Sequence, residues 1–167
     1  MLLGTTANSN TSPGAESLII QLMAQQRYAE AYELLINQPS AQNAALYNLA
    51  LCLHWGGNYQ EALNRLEKIR LAPHVDNSNK FNTDSDYQKI KTKQNQTDDY
   101  LHGISELYLK SFPDLVHDAI IRLKTDCWLQ LGNYAKVIAV ATPIAHKGYK
   151  NITDTLKLAD AAHDKGV

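Results

Sequence analysis

Three ionisable side chains near the middle of the chain have a spacing that could support chemistry. Asp98, His102 and Glu106 follow one another at intervals of four residues, so that a helix would carry them on one face. A carboxylate beside an imidazole can bind a metal ion or exchange a proton with a substrate. The same spacing is typical of a solvated polar face, and we favour that second interpretation.

The other reactive side chains form no recognisable catalytic or metal-binding motif. No two of the six histidines stand three or four residues apart, and Cys52 lies far from Cys127 in the sequence. The strings GxxxxGKS/T, GxGxxG, HExxH and GxSxG, which mark phosphate-binding, zinc-protease and hydrolase sites, do not occur. We therefore expect a protein that is not an enzyme, with no catalytic residue, no metal site and no cofactor.

Composition and charge indicate an ordinary folded protein. The chain has 167 residues, of which 44% are hydrophobic and 20% charged, enough for one domain with a continuous core. Sixteen Lys and Arg are nearly cancelled by seventeen Asp and Glu, and no basic run forms the stripe that a nucleic acid requires. No apolar stretch approaches the roughly eighteen residues of a membrane span, and the first residues do not resemble a secretion signal. We therefore expect a cytoplasmic or nuclear protein, with cytoplasmic preferred, that neither binds nucleic acid nor inserts into a membrane.

Apolar residues recur at helical spacing in pairs of segments separated by short breaks. In the clearest pair, residues 46–53 and 59–69 each form an apolar stripe, and the sequence Gly-Gly-Asn at 56–58 separates them. Residues 1–14 are small and polar, and we expect them to form a disordered tail. The pattern therefore predicts helical hairpins in a single domain over residues 15–167.

One short pattern occurs twice, each time at the break of a helical pair. Residues 56–62 read GGNYQEA and residues 132–138 read GNYAKVI. A glycine permits the tight backbone between two helices, and the tyrosine ring after it can pack across the hairpin. Four tyrosines mark such turns at separations of 31, 41 and 34 residues: Tyr28, Tyr59, Tyr100 and Tyr134. A repeat protein is the expected architecture.

The 34-residue spacing and residues 43–73 indicate the type of repeat. That stretch, NAALYNLALCLHWGGNYQEALNRLEKIRLAP, resembles the tetratricopeptide repeat (TPR), with small and large apolar residues at the family's helix positions and Gly57 and Tyr59 at its turn. The resemblance implies an all-α fold, an α-solenoid in which helical hairpins stack into a right-handed superhelix, with a C-terminal capping helix. It divides the domain into repeats at about 15–39, 43–73, 84–113 (divergent) and 115–147, a cap at 151–164, and an insertion at about 74–83 that we expect to be mobile.

Three details follow from this register. Cys52 and Cys127 both lie five residues before the glycine of a turn, so we expect two buried, reduced thiols on first helices and no disulfide. Pro143 falls inside the second helix of the last repeat and should kink or shorten that helix. Asn151 or Thr153 can cap the terminal helix.

The resemblance also indicates where a partner would bind. In the TPR family the first helices line the concave groove, and seven positions of this chain match that surface: Tyr47, Leu51, His54, Trp55, Arg122, Asp126 and Leu129. Trp55 and Tyr47 would anchor a helix or an extended peptide, although Trp55 could instead pack on a neighbouring repeat. Family members that grip a C-terminal carboxylate place lysine and asparagine where this chain has Tyr47 and Leu51, so we do not expect that activity.

We therefore predict a protein-protein interaction module or adaptor that binds a helix or peptide in its concave groove. A dedicated small chaperone for one client protein, similar to the TPR chaperones of type III secretion, is the alternative. Those chaperones have three contiguous regular repeats, and the polar insertion of this chain counts against them. Self-association into a homo-oligomer stays open, because irregular repeats often expose apolar edges that pair.

Overall fold

The computed structural model describes residues 13–38, 42–73 and 84–164, and within these residues the chain is helical and has no strand. Nine α-helices follow one another in the described residues: α1 (Pro13–Ala24), α2 (Tyr28–Ile36), α3 (Asn43–Trp55), α4 (Tyr59–Glu67), α5 (Ser85–Gln94), α6 (Glu106–Ser111), α7 (Pro113–Gln130), α8 (Tyr134–Ala141) and α9 (Lys150–Asp164). Two 3₁₀ segments, Asp99–Leu101 and Thr142–Lys147, interrupt the series. The all-α class predicted from the sequence is confirmed.

The predicted tail and the predicted insertion fall largely outside the described residues. Residues 1–12 and residues 74–83 are not described, so their expected disorder and mobility stay predictions. Helix α1 begins at Pro13. Residues 13 and 14, which were expected to belong to the tail, are therefore helical.

Three helical hairpins turn in the same way. Between α1 and α2, α3 and α4, and α7 and α8, one residue takes the left-handed backbone conformation: Gln26 with φ 59°, Gly57 with φ 80° and Gly132 with φ 70°. The amide of the next residue donates to a carbonyl five residues back, as in a Schellman turn: Arg27 to Leu22 at 2.8 Å, Asn58 to Leu53 at 2.9 Å and Asn133 to Trp128 at 3.0 Å. Gln26 therefore takes the left-handed conformation at the first turn that glycine takes at the other two.

The asparagine of the repeated Gly-Asn-Tyr pattern begins the second helix. The side chain of Asn58 accepts a hydrogen bond from the Glu61 amide at 3.3 Å, and that of Asn133 accepts one from the Lys136 amide at 3.1 Å. These bonds satisfy amides that a helix leaves unpaired at its start. Arg27, at the same place in the first hairpin, makes no such cap.

The hairpins pack on one another in chain order. Helix α2 contacts α3 and α4 contacts α7, so the hairpin α3–α4 lies between the other two. The third residue after each turn tyrosine is fully buried between helices: Ala31, Ala62 and Val137. Cys52 and Cys127 are buried and reduced in α3 and α7, as predicted. Burial raises the pKa of Cys52 to about 11 and that of Cys127 to about 12.

The third predicted hairpin does not form. The pattern predicts a second helix over residues 98–113, but the chain there makes a 3₁₀ turn, an extended stretch and the six-residue helix α6. Helix α5 buries none of its residues, because its polar sequence offers no apolar stripe against which a partner helix could pack. Helix α4 packs directly on α7 instead. Tyr100 therefore does not mark the turn of a hairpin. Residues 84–112 form an insertion between the hairpins α3–α4 and α7–α8.

The last helix covers the end of the third hairpin. Helix α8 stops at Ala141, and a 3₁₀ segment that contains Pro143 follows it, which confirms the expected shortening. Helix α9 begins at Lys150 and contacts both α8 and α7, close to the predicted cap at 151–164. The predicted capping residues are wrong. Asn151 lies inside the helix and accepts a hydrogen bond from Arg122, whereas the amide of Thr153 already donates to the Tyr149 carbonyl.

Candidate functional site: a cleft beside Trp55

Helices α3 and α7 carry all seven residues that were predicted to line a groove. Three of those residues are buried within the chain: Tyr47 is 0%, Leu51 2% and Arg122 2% exposed. A side chain with no exposed surface cannot contact a partner in this conformation. Tyr47, Leu51 and Arg122 therefore do not line an open groove, and the prediction is corrected for these three positions.

The expected groove surface is covered by residues 97–106 of the same chain, which we call the inner segment. Asn48 holds the backbone of the inner segment at Ile104: its Nδ2 donates to the Ile104 carbonyl and its Oδ1 accepts from the Ile104 amide, both at 2.8 Å. The Tyr47 hydroxyl donates to the Tyr100 carbonyl. The backbone is extended on both sides of Ile104. The inner segment thus lies across the first helices in the way an extended peptide would.

Two carboxylates fix the end of the inner segment. Glu106 Oε1 accepts from the Ala44 amide at 2.7 Å, in the first turn of α3, and Glu16 Oε1 accepts from the Glu106 amide at 2.7 Å. This arrangement overturns the expectation that Asp98, His102 and Glu106 share one helical face. A 3₁₀ turn and an extended stretch separate the three side chains, and Glu106 is used to hold α3 and α1 together.

Arg122, on α7, anchors the first residues of the inner segment. Its guanidinium donates to three acceptors: Asp99 Oδ1 at 2.5 Å, the Thr97 carbonyl at 2.7 Å and Asn151 Oδ1 at 2.8 Å. The rings of Tyr100 and Tyr149 lie against the guanidinium, with centroids at 4.3 Å and 4.5 Å. The buried guanidinium charge is tolerated here because a carboxylate, a backbone carbonyl, a side-chain amide and two aromatic rings surround it.

A buried carboxylate, Asp118, completes this polar cluster. Lys147 Nζ donates to both of its oxygens, at 2.8 Å and 2.9 Å, and the Tyr149 hydroxyl donates to it at 2.7 Å. Burial, reinforced by this carboxylate, raises the pKa of Tyr149. The adjoining cavity is about 30 Å³, room for one or two water molecules. Because the groups around it are bonded to one another, the cluster fits a structural role and leaves no space for a substrate.

His54, Asp126 and Leu129 lie where the covered surface meets open surface. An Asp126 carboxylate oxygen accepts from the Tyr100 hydroxyl and lies 3.9 Å from His54 Nε2. Burial raises the pKa of Asp126 and lowers that of His54, and in each case the charge of the partner opposes the shift. All three residues are half-buried, and none of them lines the cleft that opens beside Trp55.

Trp55, at the end of α3, is the predicted site residue that stays most open. Its side chain is 62% exposed, while one face stacks on Tyr28 with ring centroids 4.9 Å apart. The ring therefore packs on the neighbouring hairpin and still presents a large surface. Beside it opens a cleft of about 540 Å³ between the α1–α2 turn and the inner segment, lined among others by Ile20, Met23, Leu101, Asp98 and His102.

The floor of this cleft was not found from the sequence. Met23 is buried beneath it, and the inner segment passes over Met23 at Gly103. A Cβ at residue 103 would lie 3.0 Å from Met23 Sδ, so glycine allows this close approach. The glycine was visible in the sequence, but the pattern placed it in a helix, because nothing local shows that α1 lies against it.

Two further observations concern the part of the chain that the structure describes. No group of His, Cys, Asp and Glu side chains there is arranged to hold a metal ion. No helix among these residues has both the length and the apolarity needed to cross a bilayer. Comparison with protein-family models, with curated proteins and with solved structures found no match.

Proposed function

We propose that the chain is a protein-protein interaction module built from TPR-like hairpins, and that a segment of a partner protein binds in the cleft beside Trp55. One observation carries the proposal: a tryptophan that is 62% exposed is held against Tyr28 at the edge of an apolar cleft. Burying the rest of that ring in an interface would contribute about 2–4 kcal/mol, the range of an interface hot spot.

The repeated turns support the TPR-like part of the proposal. Three hairpins use the same left-handed residue and the same hydrogen bond five residues back. They also pack in chain order and are followed by a covering helix, α9. Stacked hairpins of this kind make an extended scaffold whose edges offer binding surfaces, which is why we propose an α-solenoid for the described hairpins.

The inner segment determines which surface is available to the partner. It makes hydrogen bonds to α1, α3 and α7 and covers the predicted concave face. A partner that used that face would first have to expose Tyr47 and Arg122 and break the bonds of Asn48. The cleft beside Trp55 needs no such rearrangement, and partners usually bind with little backbone movement.

Site-specific photo-crosslinking tests the proposal. Ala24 lines the cleft and is exposed, so a photoreactive phenylalanine analogue at this position would report on anything bound there. The full-length protein would be irradiated in extract of its native host, and the adducts identified and then reconstituted from purified components. A second protein with the analogue at Leu158, which is 57% exposed on α9, provides the matched control.

We expect a defined adduct at residue 24 that is absent at residue 158 and is lost when Trp55→Ala is introduced. Identical adducts at both positions, or no adduct at residue 24, would contradict the proposal. The reconstitution also separates an adaptor from a dedicated chaperone. An adaptor partner stays soluble alone and joins a stable assembly, whereas a chaperone client aggregates when this protein is removed.

A further inference from the structure

We infer that the segment bound beside Trp55 carries a large apolar side chain next to a lysine or arginine. This inference rests on the proposed function, since it specifies the partner of the same cleft. It follows from two independent properties of the cleft: the size and polarity of its interior, and the charge at its rim.

The interior fits one bulky apolar side chain. The cleft has a volume of about 540 Å³, and Met23 and Leu101 form apolar surface beside the Trp55 ring. A cavity of this size and lining is typical of sites that enclose most of a small ligand, so it has room for a bulky side chain together with neighbouring atoms of the bound segment. Tryptophan, phenylalanine or leucine would occupy its apolar part while covering the exposed face of Trp55.

The rim carries negative charge without a matching cation. Asp98 lines the cleft, is exposed and makes no ion pair within the described residues. Its charge also reaches Asp126: after burial and the groups that oppose it, Asp98 adds to the rise in the pKa of Asp126. The Asp98 carboxylate therefore stands at the rim of the cleft without an ion-pair partner among the described residues.

Two basic groups near this region, among the residues that the structure describes, are already engaged with carboxylates. Arg27 follows the cleft residue Gln26 and donates to Glu30 at 2.9 Å. Lys150, whose pKa is raised first by its hydrogen bond to Asp154 and to a smaller degree by Asp98, bonds to Asp154 at 2.7 Å.

No lysine or arginine stands among the described residues that line the cleft. A cation on the partner would pair with the Asp98 carboxylate, whereas an acidic segment would be repelled by it.

Peptide selection on the full-length chain tests the inference. A library of random heptapeptides displayed on phage would be selected on the wild-type protein, with counter-selection on Trp55→Ala. Individual enriched peptides would then be synthesised with a fluorophore and titrated by anisotropy. Asp98→Asn serves as the matched charge variant, because it keeps the shape of the side chain, and circular dichroism checks that both variants are folded.

We expect the enriched peptides to share a tryptophan, phenylalanine or leucine beside a lysine or arginine. Trp55→Ala should weaken the affinity for these peptides by about 30-fold, as expected for an interface hot spot. Asp98→Asn should weaken the affinity for these peptides by about 2- to 5-fold at low salt. It should not change the affinity for control peptides in which glutamine replaces the lysine or arginine.

Three results would overturn the inference: enrichment without a basic residue, affinity that is unchanged in Asp98→Asn, or no enrichment over Trp55→Ala. Self-association of the chain through the cleft, seen as a dimer that Trp55→Ala dissolves, would likewise count against it. If crosslinking at residue 24 still recovers a partner while the peptides fail, the inference is wrong and the proposed function stands. If both fail, the proposed function is wrong as well.

Discussion

The side-chain amide of Asn48 pairs with the backbone of Ile104 as one peptide unit pairs with another. Its Nδ2 and Oδ1 each make a 2.8 Å hydrogen bond, one to the carbonyl and one to the amide of a residue 56 positions later. Both residues are buried. A single side chain on a first helix therefore holds the inner segment on the surface that the repeat pattern would leave free for a partner.

Asn48→Ala should reduce the free energy of unfolding by about 2–4 kcal/mol. The substitution leaves the buried amide and carbonyl of Ile104 without partners, and each unsatisfied group costs about 1–3 kcal/mol. Urea unfolding followed by circular dichroism measures the change. Asn64→Ala is the control, because Asn64 lies on the exposed face of α4 and bonds to Glu61, and it should change stability by less than about 0.5 kcal/mol. Equal effects of the two substitutions would contradict the role given to Asn48.

Arg122→Met should cost about 3–5 kcal/mol, because it removes the cation from a buried cluster. The Thr97 carbonyl then loses its donor, and Asp99 keeps only the hydrogen bond from Gln94. Arg122→Lys should recover only part of this loss, since an ammonium cannot reach all three acceptors while lying between two rings. The exposed pair of Lys150 and Asp154 offers a comparison, and Lys150→Met should change stability far less than Arg122→Met, because solvent screens an exposed pair. Thermal and urea unfolding would be compared, and a small effect of Arg122→Met would show that the cluster does not anchor the inner segment.

Gln26→Gly should stabilise the protein by about 0.5–1 kcal/mol. Gln26 occupies the left-handed conformation at φ 59°, which costs a residue with a Cβ and costs glycine little. The reverse change at the matching turn, Gly57→Ala, should destabilise by about 1 kcal/mol, since φ is 80° there. Gly56→Ala is the control, because Gly56 is right-handed and an added methyl would meet only ordinary contacts at 3.5 Å. Opposite signs at residues 26 and 57, measured by urea unfolding, are the decisive result.

Stability should fall as the pH drops from 7 towards 5, and part of this fall should come from His54. Burial lowers the pKa of His54 in the folded state below its ordinary value of about 6.5. A histidine whose pKa is lower when folded contributes stability above the unfolded pKa and loses it as the pH falls through the folded pKa. His54→Gln should therefore show a smaller loss over this range. Parallel curves of unfolding free energy against pH for the two proteins would show that His54 is not responsible.

The parts of the fold that depend on neighbouring residues could be read from the sequence. Gly57 and Gly132 end helices as the pattern predicts, through hydrogen bonds that span five residues or fewer. The caps made by Asn58 and Asn133 are equally local, although they were not predicted from the sequence. Pro143 shortened its helix for an equally local reason. Gln26 shows the limit of this approach, since its turn was recognised from the second helix that follows and not from the residue itself.

The inner segment could not be predicted, because its contacts join residues that are far apart in the chain. Tyr100 and Gly103 imitate the turn pattern. Only the pairing of Asn48 with Ile104 and of Arg122 with Asp99 shows that they belong to the inner segment, Tyr100 in its 3₁₀ turn and Gly103 in the stretch that follows. For the same reason the predicted groove contained residues that prove to be buried. The sequence left open whether Trp55 faces a groove or packs on a neighbouring repeat, and the structure shows a ring that stacks on Tyr28 and is still largely exposed. The cleft beside it depends on the unforeseen inner segment.

The exchange rate of the Ile104 amide hydrogen tests most directly whether the inner segment is a fixed part of the fold. Two-dimensional NMR in heavy water, repeated at several low urea concentrations, would give its opening free energy beside those of buried amides in α3. We predict that Ile104 exchanges only with global unfolding, at the same free energy as α3, so that the cleft beside Trp55 is the available surface. Fast exchange of Ile104 while α3 stays protected would contradict this, because the inner segment would then open on its own and release the concave face to a partner.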